Sequence, residues 1–128
     1  MFVRSTDKDF AELGGGVSRK VLAYNEDLMS VEVRFEKGAI GAIHTHPHTQ
    51  ISYVLDGKFE ATIDGEVRII SKGDTYVTEP DVPHGVVCLE AGALLDIFTP
   101  MRKDFIQFPS LFGLNMIYKI TKSGATKK

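Results

Sequence analysis

Three of the four histidines in the chain stand two residues apart, in the segment HTHPH at residues 44–48. In an extended strand, alternate side chains share a face, so His44 and His46 point the same way, about 7 Å apart along the backbone. Two imidazoles at that spacing can converge on one metal ion. His84 follows the loop EPDVP, whose two prolines stiffen the backbone that presents it. The pattern indicates a metal site, although an isolated His-x-His pair can also be a surface feature or a hydrogen-bonded pair.

Pro47 separates the first histidine pair from the next apolar run. Proline has no backbone N–H and cannot donate a hydrogen bond to a neighbouring strand. The chain is therefore predicted to turn at residues 47–49 and to place Gln50 at the start of a new strand. His48 falls within this turn and is interpreted as a loop residue outside the ligand set.

A second stretch with chemical potential is LLDIFTPMRKDF at residues 94–105. Asp96 and Phe98 alternate with Leu95 and Ile97, so the acid and the aromatic ring share one face of a predicted strand. If Leu95 and Ile97 pack outward into a sandwich core, Asp96 and Phe98 look into a barrel. An inward carboxylate is a natural general acid or base, and Arg102 on the following loop could clamp a substrate carboxylate. Simple exposure of both charges is the alternative.

Short runs rich in Val, Ile, Phe and Tyr position these residues, separated by turn signals. The Asp-Gly pairs at 56–57 and 64–65 predict hairpin turns, and the EAG segment at 90–92 predicts another break. STDKDFAEL could form one helical turn stopped by GGG, and FPSLFGLNMIYKI could be a short helix or an edge strand. The pattern as a whole predicts a compact antiparallel sandwich or barrel.

The bulk composition indicates one globular domain across residues 1–128. A net charge of -2 gives no electrostatic reason to expect nucleic acid or an anionic membrane as partner. No apolar run approaches the length of a membrane span, and the first residues lack the apolar region of a signal peptide. Cys88 is the single cysteine, so no intrachain disulfide can form. A cytoplasmic location is therefore expected.

The histidine segment closely resembles the first motif of the cupin family. The resemblance runs from Gly38 through His44-x-His46 and Gln50 to Gly57, with Gln50 where most cupins have Glu. A second cupin motif follows, from Gly73-Asp74 through Pro80 to His84, with Glu79, Asp81 and Cys88 replacing its usual Pro, Gly and Asn.

The resemblance implies an all-β, single-domain cupin jelly-roll β-barrel with one divalent transition metal inside. It places the metal on His44, His46, Gln50 and His84. Gln50 is a neutral ligand, and an all-neutral site favours Lewis-acid chemistry over the O₂ chemistry of 2-His-1-carboxylate centres. Ligand types fit Zn, Ni, Mn or Fe, and the sequence does not choose among them.

The segments from Leu13 to Gly57, the second motif and GALLDIFTPMRKDF together resemble the small pectin-degradation cupins of the KdgF type. These proteins open the ring of 4,5-unsaturated monouronates to give linear 4-deoxy-5-keto uronates. The resemblance carries their active-site Asp, Phe and Arg onto Asp96, Phe98 and Arg102, and their metal ligands include a Gln at the position of Gln50. It covers a core at about residues 13–105, which leaves 106–128 as a C-terminal extension that is expected to belong to an oligomer contact.

Two other functions stay open at this stage. A cupin dioxygenase would need Fe or Cu and O₂, which Gln50 in place of a carboxylate disfavours. The other is a non-catalytic sugar-binding module of the kind found in regulators. A regulator would be expected to carry a DNA-binding segment, and the sequence shows none, which disfavours this function. Edge strands are a common pairing surface in small cupins, so a homodimer is expected.

Overall fold

The computed structural model describes residues 1–107, and the regular secondary structure of this part of the chain is almost entirely β-strand. The all-β prediction is therefore confirmed. FPSLFGLNMIYKI lies outside the described residues, as does nearly all of the expected C-terminal extension. The elements are β1 (Ala11–Gly14), β2 (Val17–Tyr24), β3 (Met29–Phe35), β4 (Ile40–His44), β5 (Thr49–Ile63), β6 (Glu66–Ser71), β7 (Thr75–Thr78), β8 (His84–Thr99) and α1 (Asp104–Gln107).

The two long strands β5 and β8 form the backbone of the fold. They pair antiparallel along their whole length, from Thr49 opposite Thr99 to Ile63 opposite His84. One half of this ribbon is flanked by β3 and β7, with β2 and β1 continuing beyond β3. The other half is flanked by β4 and β6. The ribbon therefore belongs to two sheet layers, as in a jelly roll.

A bend in the ribbon lies where the sequence predicted a hairpin at Asp56-Gly57. That prediction is wrong, because β5 runs through this pair, and the register with β8 shifts on either side of Asp56. Gly57 has φ +83°, and a Cβ there would lie 2.5 Å from the Glu90 carbonyl oxygen. The break predicted at residues 90–92 is wrong for the same reason, since Gly92 lies opposite the bend inside β8. The two glycines mark a bulge at a sheet corner.

The second Asp-Gly pair behaves as predicted. Asp64 (φ +49°) and Gly65 (φ +82°) connect β5 to β6 as a two-residue turn with both residues left-handed. That is the turn geometry that matches the twist of an antiparallel hairpin. The predicted helical turn near the N-terminus is a 3-10 turn at Ser5–Asp7.

The core lies between the two layers. Phe35 of β3 packs edge-to-face on Phe59 of β5, with ring centroids 5.2 Å apart. These rings belong to a buried cluster that draws on both halves of the ribbon, including Val54, Val86 and Leu94. A second cluster, built on Met29, Val31 and Phe98, fills the end of the barrel near α1. No helix among the described residues is long and apolar enough to cross a membrane.

Candidate metal centre and active site

Three histidines converge at one end of the ribbon. His44 is the last residue of β4 and lies opposite His84, the first residue of β8. His46 follows in the connection between β4 and β5. One nitrogen from each ring can be chosen so that the three atoms lie within 4.8 Å of one another. The structure therefore brings together the three histidines that the sequence singled out.

Backbone hydrogen bonds fix two of these rings. Nδ1 of His44 lies 2.7 Å from the Ala42 carbonyl oxygen, and Nδ1 of His84 lies 2.8 Å from the Val82 carbonyl oxygen. Because a carbonyl oxygen only accepts, each Nδ1 must carry the proton, and each neutral ring leaves Nε2 with a free lone pair. His46 has no backbone partner; its Nδ1 is buried without a hydrogen bond, its Nε2 faces Gln50, and its ring packs 5.6 Å from that of Phe98.

Gln50, which the cupin resemblance implies as a fourth ligand, lies against the same cluster. Its Oε1 lies 2.9 Å from His46 Nε2 and 3.1 Å from His84 Nε2. The His84 contact sets two hydrogen-bond acceptors face to face, since Nε2 of that ring carries no proton. A cation among these atoms would convert the repulsion into coordination. The donor set, three imidazoles and one amide oxygen, therefore fits a divalent transition metal.

The electrostatics favour neutral imidazoles. Burial lowers the pKa of His46 to about 4, and the positive charge of Arg102 acts in the same direction. Burial also lowers the pKa of His84. Neutral imidazole is the form that binds metals, so these two rings are ready to ligate at neutral pH. His44 is exposed, which leaves its side of the cluster open to a small molecule.

Asp96 and Phe98 of β8 face the same interior. Their β5 neighbours are Ser52 and Gln50, and Asp96 Oδ1 accepts a hydrogen bond of 2.6 Å from Ser52 Oγ. Burial raises the pKa of Asp96 to about 6, although the bond from Ser52 opposes that shift. The two side chains are thus directed inward as predicted.

The packing expected of Leu95 and Ile97 is wrong. Both are only half-buried, and the core lies on the other side of the strand, with Phe98 among its members. Strand alternation correctly put Asp96 and Phe98 on one face and Leu95 and Ile97 on the other. The error was to assume a separate core outside the barrel, because the hydrophobic core lies inside the barrel, on the side of Asp96 and Phe98.

Arg102 is brought to the same region, and it already has a partner. It is only 7% exposed, and its Nε and Nη2 donate to the Asp104 carboxylate at 3.1 and 2.8 Å. Its guanidinium also lies 5.1 Å from the Phe98 ring centroid and 4.2 Å from that of Phe105. The bonds to Asp104 engage one edge of the guanidinium and orient it toward Phe98.

Sequence reasoning missed several residues of this interior. Arg19 of β2 faces inward and stacks 3.8 Å from the Phe105 ring centroid, and its burial lowers its pKa to about 10. Ser52 lies on the inward face of β5, two residues after Gln50, and strand alternation could have identified it. His48, excluded from the ligand set, lies beside His46 with ring centroids 5.3 Å apart, yet it is not a member of the three-histidine cluster.

Comparisons with known proteins agree with this architecture. The family model described as Cupin domain matches residues 31–98. The chain is 50% identical over 97 residues to the pectin degradation protein KdgF of Dickeya dadantii (strain 3937), covering 74% of this chain and 88% of that protein.

Two solved structures are similar over most of their length. KdgF from Halomonas sp. superposes with a TM-score of 0.79 at 40% identity, covering 83% of this chain and 98% of that one. An RmlC-like cupin from Shewanella frigidimarina NCIMB 400 superposes with a TM-score of 0.80 at 40% identity, covering 82% and 95%. The chain therefore belongs to the cupin domain family and, within it, to the KdgF group of pectin degradation proteins.

Proposed function

We propose that this protein opens the ring of 4,5-unsaturated monouronates, the products of pectin or alginate lysis, to linear 4-deoxy-5-keto uronates. The observation that carries the proposal is a buried carboxylate beside a metal-competent cluster. Asp96 is linked through one hydroxyl, that of Ser52, to Gln50, whose amide oxygen faces His46 and His84.

The reaction is an isomerisation, and its atoms balance without any co-reactant. The anomeric hydroxyl gives up its proton, the bond between C1 and the ring oxygen breaks, and C1 becomes an aldehyde. The electrons released leave an enolate across C4, C5 and the former ring oxygen. A proton added to C4 then gives the C5 ketone. The protein must therefore hold the sugar, accommodate developing oxyanion charge and move one proton.

The metal ligands in this proposal are His44, His46, Gln50 and His84. A divalent ion such as Zn, Ni, Mn or Fe, when bound there, supplies Lewis-acid stabilisation of negative charge on a substrate oxygen. The role of the ligand side chains is to keep this position neutral in charge, so that the full positive charge of the ion is available to the substrate.

Asp96 is assigned the proton transfer. Its pKa of about 6 is close to neutral, which is where a general acid or base works best. It either takes the proton from the anomeric hydroxyl or delivers one to C4. The other order, protonation of C4 followed by addition of water at C5, uses the same residue.

Arg102 and Phe98 are assigned to substrate binding. The Phe98 ring contacts both the histidine cluster and the Arg102 guanidinium, at 5.6 Å from the His46 ring and 5.1 Å from Arg102 Cζ. A sugar ring packed on Phe98 would lie between the metal ligands and a cation suited to its carboxylate. In this proposal the positive charge of Arg102 would also stabilise the enolate.

The wider context is part of the proposal. Residues 1–128 would form one domain with its core at about 13–105. The free, buried thiol of Cys88 suits a reducing, cytoplasmic setting. An edge-strand homodimer is supported by the exposure of Val67 and Ile69 on the edge strand β6. Neither nucleic acid nor membrane is expected as a partner.

The test follows the ultraviolet absorbance of 4,5-unsaturated galacturonate, because ring opening removes its enol ether. Full-length protein is stripped with EDTA and then reloaded separately with Zn, Ni, Mn or Fe. We expect at least one loaded form to remove the absorbance well above the spontaneous rate, and the stripped form to lose that acceleration. If no loaded form accelerates the loss, the uronate assignment is wrong.

A further inference from the structure

Ser52 occupies a junction between the metal cluster and the proposed proton carrier. Its side chain is completely buried, on β5, two residues from Gln50 and opposite Asp96 of β8. Its Oγ lies 2.9 Å from Gln50 Nε2 and 2.6 Å from Asp96 Oδ1. A hydroxyl has one proton to donate, so these two bonds cannot both be donated by Ser52.

The carboxylate determines the direction of both bonds. An ionised Asp96 only accepts, so Ser52 must donate its single proton to it. Ser52 can then only accept from Gln50, and the group that Gln50 presents must be its NH₂. The remaining half of the amide, Oε1, is therefore turned toward His46 and His84. The orientation of the amide therefore depends on its bond to Ser52 and on the Asp96 carboxylate beyond it, which also lies within reach of Gln50, and not on Gln50 alone.

We propose that Ser52 is a positioning residue that makes Gln50 a metal ligand by holding its amide with the oxygen toward the histidines. A flipped amide would turn its N–H groups toward the imidazole lone pairs and offer the metal no donor atom. The proposal rests on the metal site of the proposed function, and it assigns no contact with substrate to Ser52.

The experiment measures metal binding rather than turnover. Full-length wild type and Ser52→Ala are stripped with EDTA and titrated with Zn²⁺ and with Ni²⁺ by calorimetry, with a competing chelator where binding is tight. Loss of a partner that orients a ligand typically lowers metal affinity about 10–100-fold, and we expect a loss in that range. Ser30→Ala is the matched control, since its hydroxyl bonds the Ala23 carbonyl away from the site, and its affinity should be unchanged. Equal affinity of Ser52→Ala and wild type would overturn the proposal.

A second pair of variants separates orientation from packing. In a Gln50→Glu background, both terminal atoms of residue 50 are oxygens, so there is no amide to orient. Ser52→Ala should then change metal affinity by less than about twofold, since the two sites no longer act through one interaction. The same large loss in both backgrounds would show that the hydroxyl matters only for packing, which contradicts the proposal.

A measurement on unaltered protein keeps the test independent of variant folding. In proton NMR of the metal-free form, the Gln50 amide protons should show Overhauser contacts to Ser52 and none to the His46 and His84 ring protons. Contacts to the rings would refute the orientation. None of these measurements uses uronate. If Ser52→Ala lowers metal affinity as expected but the protein does not open the uronate ring, the proposed function is wrong and the role of Ser52 stands.

Discussion

Replacing Asp96 by Asn should make the protein inactive and, at neutral pH, more stable. Asn keeps the shape of the side chain and an oxygen that can accept the bond from Ser52, but it cannot carry the proton. Asp96 is 8% exposed, and its carboxylate is therefore ionised at the cost of desolvation. The variant removes that cost together with the proton carrier.

The size of the effect follows from the pKa. Burial raises the pKa of Asp96 from 3.8 to about 6, and each unit corresponds to about 1.4 kcal/mol. A raised pKa in an acid means that the folded state binds the proton more tightly than the unfolded state. The associated stability is fully present below the unfolded pKa of 3.8 and is lost as the pH rises through about 6. The loss by neutral pH amounts to about 3 kcal/mol.

The assay compares urea unfolding of metal-free wild type and Asp96→Asn at about pH 4 and about pH 7.5. Titrations common to both proteins cancel in the difference between them. The variant should gain about 2.5 kcal/mol relative to wild type between the two pH values, slightly less than the full loss because a pH of about 4 lies just above the unfolded pKa, while its turnover falls about 10²–10⁴-fold and its metal content is unchanged. Asp27→Asn, at an exposed turn position, should show no such gain. A stability difference that is the same at both pH values would refute the buried-carboxylate reasoning, and retained turnover would remove Asp96 from proton transfer.

Three other perturbations test separate parts of the account. Arg102→Lys keeps the charge but loses the two-pronged geometry, so KM for the uronate should rise about tenfold, with a smaller change in kcat, in steady-state kinetics; an unchanged KM would remove Arg102 from binding. Metal at about 100 times its Kd should stabilise the protein by about 2.7 kcal/mol in thermal or urea unfolding, and EDTA should reverse this; identical curves would argue against a metal site. Gly57→Ala should destabilise by more than about 2 kcal/mol, because its Cβ would meet the Glu90 carbonyl oxygen at 2.5 Å. Gly65→Ala, with a similar positive φ but open space, should cost only about 1 kcal/mol, and equal losses would mean that crowding at the bend is unimportant.

The pairing of His44 with His46 could be predicted because its information is local in the sequence, whereas the full ligand set with Gln50 and His84 came from the cupin resemblance. Two-residue spacing put His44 and His46 within reach of one ion, and Pro47 predicted a new strand from Gln50, one residue after β5 begins at Thr49. Alternation in the far strand likewise placed Asp96 and Phe98 on one face. Bringing the two stretches together required the cupin resemblance, since nothing in either stretch states that β5 and β8 pair.

The errors arise where a residue's environment is set by a distant strand. Asp56-Gly57 and Asp64-Gly65 have the same local chemistry, yet only the second is a hairpin. The first continues as a strand because Gly92 on β8 allows the two backbones to approach at the bend. The pairing of Arg102 with Asp104, and the stacking of Arg19 on Phe105, depend equally on how α1 packs at the barrel end. No periodicity in the sequence carries that information.

The most direct test of the central claim is proton NMR of 4,5-unsaturated galacturonate in D₂O with metal-loaded protein. The C4 vinyl signal should disappear as a linear 4-deoxy-5-keto product forms, with one solvent deuterium at C4. Neither EDTA-stripped protein nor Asp96→Asn should accelerate this change. Decay of the vinyl signal no faster than in buffer, or a product without deuterium at C4, would contradict the account.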